Sequence, residues 1–270
     1  MGPPSTDGGV QDRARGPRTR GPWALGPGRR GRHAGRMATG TDLPRRTRGP
    51  RADQRRRARW GTWRRWVTAT TLGELIGFLV PVAAVSAGAD ALPGPLRFLL
   101  VVLAGAGEGA VLGWAQSRVL RPLLPGLSTT AWTARTAAAA ALAWALGLAP
   151  SSLGAVFDDW APAVRVAVVV PAGGLLLLSI GAAQWTVLRR VLPGSVRWIG
   201  WTAAGWLAGL AVLLGVATPL WHPGQDVVLI AASGALGGVG MAATMAAVTG
   251  WGLVRLLRSG PHQPHRRPAA

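Results

Sequence analysis

Two carboxylic acids, Glu74 and Glu108, stand in stretches that are otherwise apolar. An ionisable side chain inside a membrane span is costly, so it points to an ion or proton path. Glu74 lies eight residues after Trp66, and Glu108 lies ten residues before Arg118. Counted from the same membrane face, the two depths differ by about two residues, or roughly 3 Å along a helix axis. The helices that carry them are consecutive, so the carboxyls are expected to face each other. Two close carboxyls in a low dielectric share a proton or hold a cation. The alternative is a neutral Glu hydrogen-bonded to Thr70, Thr71 or a backbone carbonyl.

Three other polar side chains sit in the spans. Gln116 and Gln184 lie at equivalent depth near helix ends. Their amides are expected to bond between helices, where such a contact is worth about 1 kcal/mol. Lining a polar cavity is the other reading. Arg135 lies near the start of the third apolar segment. It can snorkel to the membrane surface, or pair with Glu108 or Glu74.

Beyond these residues the chain is poor in chemistry. It has no Cys, which removes disulfides, thiolate metal sites and Cys nucleophiles. Its four His residues, His33, His222, His262 and His265, all fall outside the apolar segments. No HExxH pattern occurs, and the run Gly234, Gly237, Gly238, Gly240 has no following Lys-Ser/Thr for a phosphate loop. No metal, no cofactor and no enzymatic activity are expected.

These groups must be positioned by membrane helices. A span needs roughly 20 mostly apolar residues, because the hydrocarbon layer is about 30 Å thick. Six stretches qualify: Trp66–Ala87, Phe98–Arg118, Ala131–Ala149, Val164–Leu188, Ile199–Leu220 and Val227–Arg255. Each is bounded by Pro, Gly or charge. Pro150 is expected to end the third, while Pro81 and Pro171 lie inside helices and should kink them. The fold class is therefore all-α and polytopic, with a six-helix transmembrane domain over residues 66–258.

The flanks differ sharply in composition. Residues 1–65 hold 18 of the 30 basic residues, all Arg, and 4 of the 10 acids. Rich also in Gly and Pro, they are expected to be a disordered cytoplasmic tail, as are residues 259–270. The start lacks the apolar core of a secretory signal, and Met37 is a second possible initiator. Orientation follows from Arg placement. Arg64, Arg65, Arg118, Arg121, Arg189, Arg190, Arg197, Arg255 and Arg258 fall on one side of a six-span topology. The other side holds Asp90, Asp158, Asp159 and Asp226, with only Arg97 and Arg165. Both termini are thus expected in the cytoplasm, in the cytoplasmic membrane. Of the 14 Trp residues, Trp60, Trp63, Trp66, Trp132, Trp198 and Trp201 are expected as an interfacial belt on that side.

The chain also repeats itself. Gly113-Trp-Ala-Gln116 through Pro125-Gly126 aligns without a gap to Gly181-Ala-Ala-Gln184 through Pro193-Gly194. Trp66-Val-Thr-Ala, Trp132-Thr-Ala and Trp201-Thr-Ala open successive odd-numbered spans, and Gly250-Trp251 through Arg255 echoes Gln184-Trp185 through Arg189. The expected unit is a two-helix hairpin present three times in one orientation, related by rotation about the membrane normal. The third copy lacks the Gln. This pattern resembles uncharacterised bacterial multi-pass membrane proteins with repeated Gly-x-x-Gln-Trp-x-x-Leu-Arg-Arg segments, over roughly residues 66–258. The resemblance implies architecture and supplies no activity.

Two functions follow from these residues. The first is a structural or interaction component of the membrane, suggested by small-residue packing faces and the lack of chemistry. The second is a small transporter or proton/cation pathway using Glu74 and Glu108. Membrane lipids are the expected partners, with anionic headgroups drawn to the Arg-rich tail. A membrane protein is a further partner, and nucleic acid a weaker one.

Overall fold

A chain in an apolar solvent must satisfy its backbone within each helix and turn apolar side chains outward. The computed structural model, which describes Gly2 and residues 50–88 and 91–259, meets both demands. Its helices are α1 (Pro50–Ser86), α2 (Gly94–Leu120), α3 (Thr129–Leu153), α4 (Ala155–Asp158), α5 (Pro162–Leu188), α6 (Arg197–Leu220) and α7 (Val227–Ser259). All but the short α4 are long and apolar enough to cross a membrane. The described residues contain no strand. Leu79, Leu103, Val170 and Leu214 are each more than half exposed, which suits lipid and not water. The protein is an all-α polytopic membrane protein with six spans.

The spans close into a ring. Each packs on the next in order, α1 to α2, α3, α5, α6 and α7, and α7 packs back on α1. The acid-bearing helices are the most enclosed: 39% of the most apolar stretch of α2 and 28% of that of α1 are buried, against 11% for α6 and α7. Small residues set the approach. A Cβ on Gly113 would lie 3.0 Å from the Thr133 Cα, and one on Gly209 would lie 2.9 Å from the Met241 carbonyl oxygen. Backbones this close leave no room for a side chain.

Three expectations change. Residues 50–65 are helical and continue into the first span, so α1 starts well before Trp66. A run of Arg is compatible with helix once an apolar continuation packs, because Arg is a good helix former. The rest of the basic tail and residues 260–270, with Met37, His33, His262 and His265, lie outside the described residues. Pro150 does not end α3, which runs on to Leu153. Pro150 withholds one backbone N–H, from the Leu146 carbonyl a turn back, and the Ser151 and Ser152 hydroxyls each donate to the Leu148 carbonyl at 2.9 Å within the continuing helix. The helix stops instead at Gly154, whose φ of +51° favours glycine.

The main core lies at the Arg-rich end of the ring. There Trp66, Trp132 and Trp198 are fully buried with Leu120, Leu188 and Leu253. These three indoles are not part of an interfacial belt. Trp198 meets the ring of Trp66 edge-on at 5.6 Å and that of Trp132 at 6.1 Å. Pro125-Gly126 and Pro193-Gly194 turn the chain beside this core, with Gly126 at φ +96° and Gly194 at φ +73°.

Candidate functional site

The first cluster is built on α1 and α2. Glu74 is 2% exposed and Glu108 8% exposed. Both are buried where α1 packs closely on α2. Two glycines make that possible. A Cβ on Gly77, one turn after Glu74, would lie 2.8 Å from the Glu108 carbonyl oxygen. A Cβ on Gly105, one turn before Glu108, would strike the Trp144 indole from α3. That indole donates to Glu108 Oε2 at 2.8 Å. Neither oxygen of Glu74 has a hydrogen-bond partner. A hydrogen bond between the two carboxyls would need a proton on one of them, because an ionised carboxylate only accepts. No third His, Asp or Glu joins them among the described residues.

Thr70 and Thr71, offered by the sequence as donors to Glu74, do not serve. Their hydroxyl oxygens are buried without partners. Arg135 is exposed on α3 and pairs with neither acid: Glu108 takes Trp144, and Glu74 has no partner.

The second cluster joins the Trp core. Gln184 Nε2 donates to Gln116 Oε1 at 2.8 Å and to Thr136 Oγ1 at 3.1 Å. The Trp132 indole donates to Gln116 Oε1 at 3.2 Å, and the Trp198 indole to Gln184 Oε1 at 2.9 Å. Across the ring closure, the Trp66 indole donates to Thr249 Oγ1 at 3.0 Å. The sequence places Gly250 where α2 and α5 have Gln. A Cβ there would lie 2.8 Å from Trp66 Cδ1, so Trp66 packs on the α7 backbone and finds the preceding residue's hydroxyl. Each indole N–H is thus met by a polar side chain of an adjacent helix, as burial in an apolar solvent requires.

Sequence reasoning brought the two acids and the two amides to the right depths. It missed Trp144, Thr136, Thr249 and the burial of Trp66, Trp132 and Trp198. One signal was available: the three indoles recur every 66 residues, each followed four positions later by Thr70, Thr136 or Thr202. A fixed Trp-x-x-x-Thr pair puts both side chains on one helix face, which a lipid anchor does not need. Unlike the indoles, the acids have no counterparts, since Ala140 and Trp206 stand at the same spacing from Glu74.

No protein-family model matches this chain, and neither a curated protein nor a solved structure is similar enough to it to count as a match.

Proposed function

We propose that the chain is a multi-pass protein of the bacterial cytoplasmic membrane that binds and passes a proton or small cation at Glu74 and Glu108. The supporting observation is the pair itself: two buried carboxyls on closely packed helices, with neither Glu74 oxygen offered a donor. Nothing in the packing of α1 on α2 requires an acid there, since Ala140 fills the corresponding place on α3. The excess of Arg at one end of the ring puts that end, and both termini, in the cytoplasm. Three hairpins, α1–α2, α3–α5 and α6–α7, related by rotation about the membrane normal, account for the recurrence of Trp66, Trp132 and Trp198.

A second reading, a structural or interaction component of the membrane, has one observation in its favour. The Trp and Leu core fills the Arg-rich end of the ring, as a rigid scaffold would have it.

Proton uptake into liposomes separates the two. Wild type and the Glu74→Gln, Glu108→Gln double variant are reconstituted with an internal pH dye under an imposed potential. Uptake by wild type that the double variant loses, at equal reconstitution, supports the pathway. If wild type equals empty liposomes with protons, and again with sodium or potassium gradients, the pathway is rejected in favour of the structural role.

A further inference from the structure

The basic end of the ring carries a cleft that neither cluster uses. It has a volume of about 410 Å³ and opens between α1 and α7. Arg56, Arg57 and Arg59 line it from α1, and Arg255 and Arg258 from α7. Among the described residues no acidic side chain lines it. The one acid close by in sequence, Asp53, stands a turn before Arg57 and outside the lining. Guanidinium groups gathered in one cleft repel each other unless an anion joins them.

The remaining walls are aromatic. Trp60, Trp63 and Trp251 line the same cleft. Trp60 and Trp63 stack with ring centroids 4.7 Å apart. The Trp63 indole N–H is already given to the Ala247 carbonyl at 3.1 Å, so Trp63 offers the cleft only apolar surface. Arg255 lies over Trp251 at 5.4 Å and over Trp201 at 5.7 Å. That contact holds the guanidinium by its face and leaves its N–H edge for an oxyanion.

We infer that this cleft binds the phosphate headgroup of an anionic membrane lipid. Phosphate is the anion whose geometry suits several Arg donors at once. A lipid is favoured over a soluble phosphate by the position of the cleft. It lies where α1 passes from an Arg-rich to an apolar sequence and α7 does the reverse. Trp60 is 55% exposed and Trp251 47% exposed there, which gives acyl chains an apolar surface beside the charges. The inference stands apart from the carboxyl pair, which has no residue in this cleft.

The test is native mass spectrometry of the full-length protein in nonionic detergent. Phosphatidylglycerol, phosphatidylcholine and inorganic phosphate are offered at matched concentration. The variants are Arg56→Gln, Arg59→Gln, Arg255→Gln, Arg258→Gln together, and Arg189→Gln with Arg190→Gln as a control of equal membrane side. Each variant is first shown by thermal unfolding to be folded. Phosphatidylglycerol should be retained over phosphatidylcholine, and the cleft variant should hold it at least about tenfold more weakly, as loss of several near-surface Arg contacts implies. The control should bind like wild type. Equal retention by the cleft variant, or equal weakening in the control, overturns the cleft as the site. Inorganic phosphate that displaces the lipid and binds as tightly alone overturns the lipid as the occupant.

Discussion

Gln184 shows what one side chain contributes at the closed end of the ring. Its amide nitrogen serves Gln116 and Thr136, and its oxygen takes the Trp198 indole, which exhausts most of what an amide can offer. Gln184→Leu leaves that buried indole N–H without a partner and the Gln116 oxygen with Trp132 alone. We expect a loss of about 1–2 kcal/mol, toward the upper range for polar contacts between membrane helices. Thermal unfolding in detergent checks it, and an unchanged midpoint would remove the network from any account of stability. The legibility of this region was uneven for a physical reason. Depth along a helix follows from counting residues, so Glu74, Glu108, Gln116 and Gln184 could be placed at matching levels. Rotation about the helix axis is fixed by neighbours, so the sequence leaves Arg135 open between the membrane surface and the acids, and the structure exposes it. Trp is ambiguous by nature, suited both to an interface and to a core that supplies a hydrogen bond, and only the partners Gln116, Gln184 and Thr249 decide it.

At the scale of the helices, glycine positions divide into contacts and idle sites. The Gly-rich run of α7 looked uniform in sequence. In the ring, a Cβ on Gly237 would lie 2.9 Å from Leu213 Cδ1, whereas Gly234 and Gly238 have nothing within 4 Å. On α2, a Cβ at Gly109 would lie 2.9 Å from the Thr136 carbonyl oxygen and 3.0 Å from the Ala137 Cα. Both are backbone atoms, so neither can swing away. Gly109→Ala should therefore push α2 from α3 and cost about 1–3 kcal/mol, as overpacking does. Gly238→Ala should cost nothing measurable and serves as the matched control in the same unfolding assay. If the two variants unfold alike, the close approach of α2 and α3 is not what holds that contact. The six helices themselves were legible because a span must be long and apolar. The α1 extension from Pro50 was not, since a stretch rich in Arg is solvated in isolation and gains its helical form beside the apolar turns that follow.

At the scale of the molecule, the ring depends on one seam between its first and last spans. Trp63 and Trp66 of α1 lie against Gly250 of α7, with a Cβ at Gly250 only 3.2 Å from Trp63 Cδ1. The chain has no cysteine of its own, so a pair introduced there reports without background. Trp63→Cys with Gly250→Cys should be joined by a short thiol cross-linker in native membranes, giving a faster-migrating monomer on denaturing gels. Either single variant should not. Failure to join, with both thiols shown to react singly, would mean that the ring is open at that point. The closure also has a temporal side. Glu108 arrives with the very next helix, so the Glu74 carboxyl is covered soon after α1 leaves the ribosome. The partner of Trp66 is among the last spans to be synthesised. Until then the indole N–H lacks its Thr249 partner, so a chain halted before α7 carries an unsatisfied donor on α1.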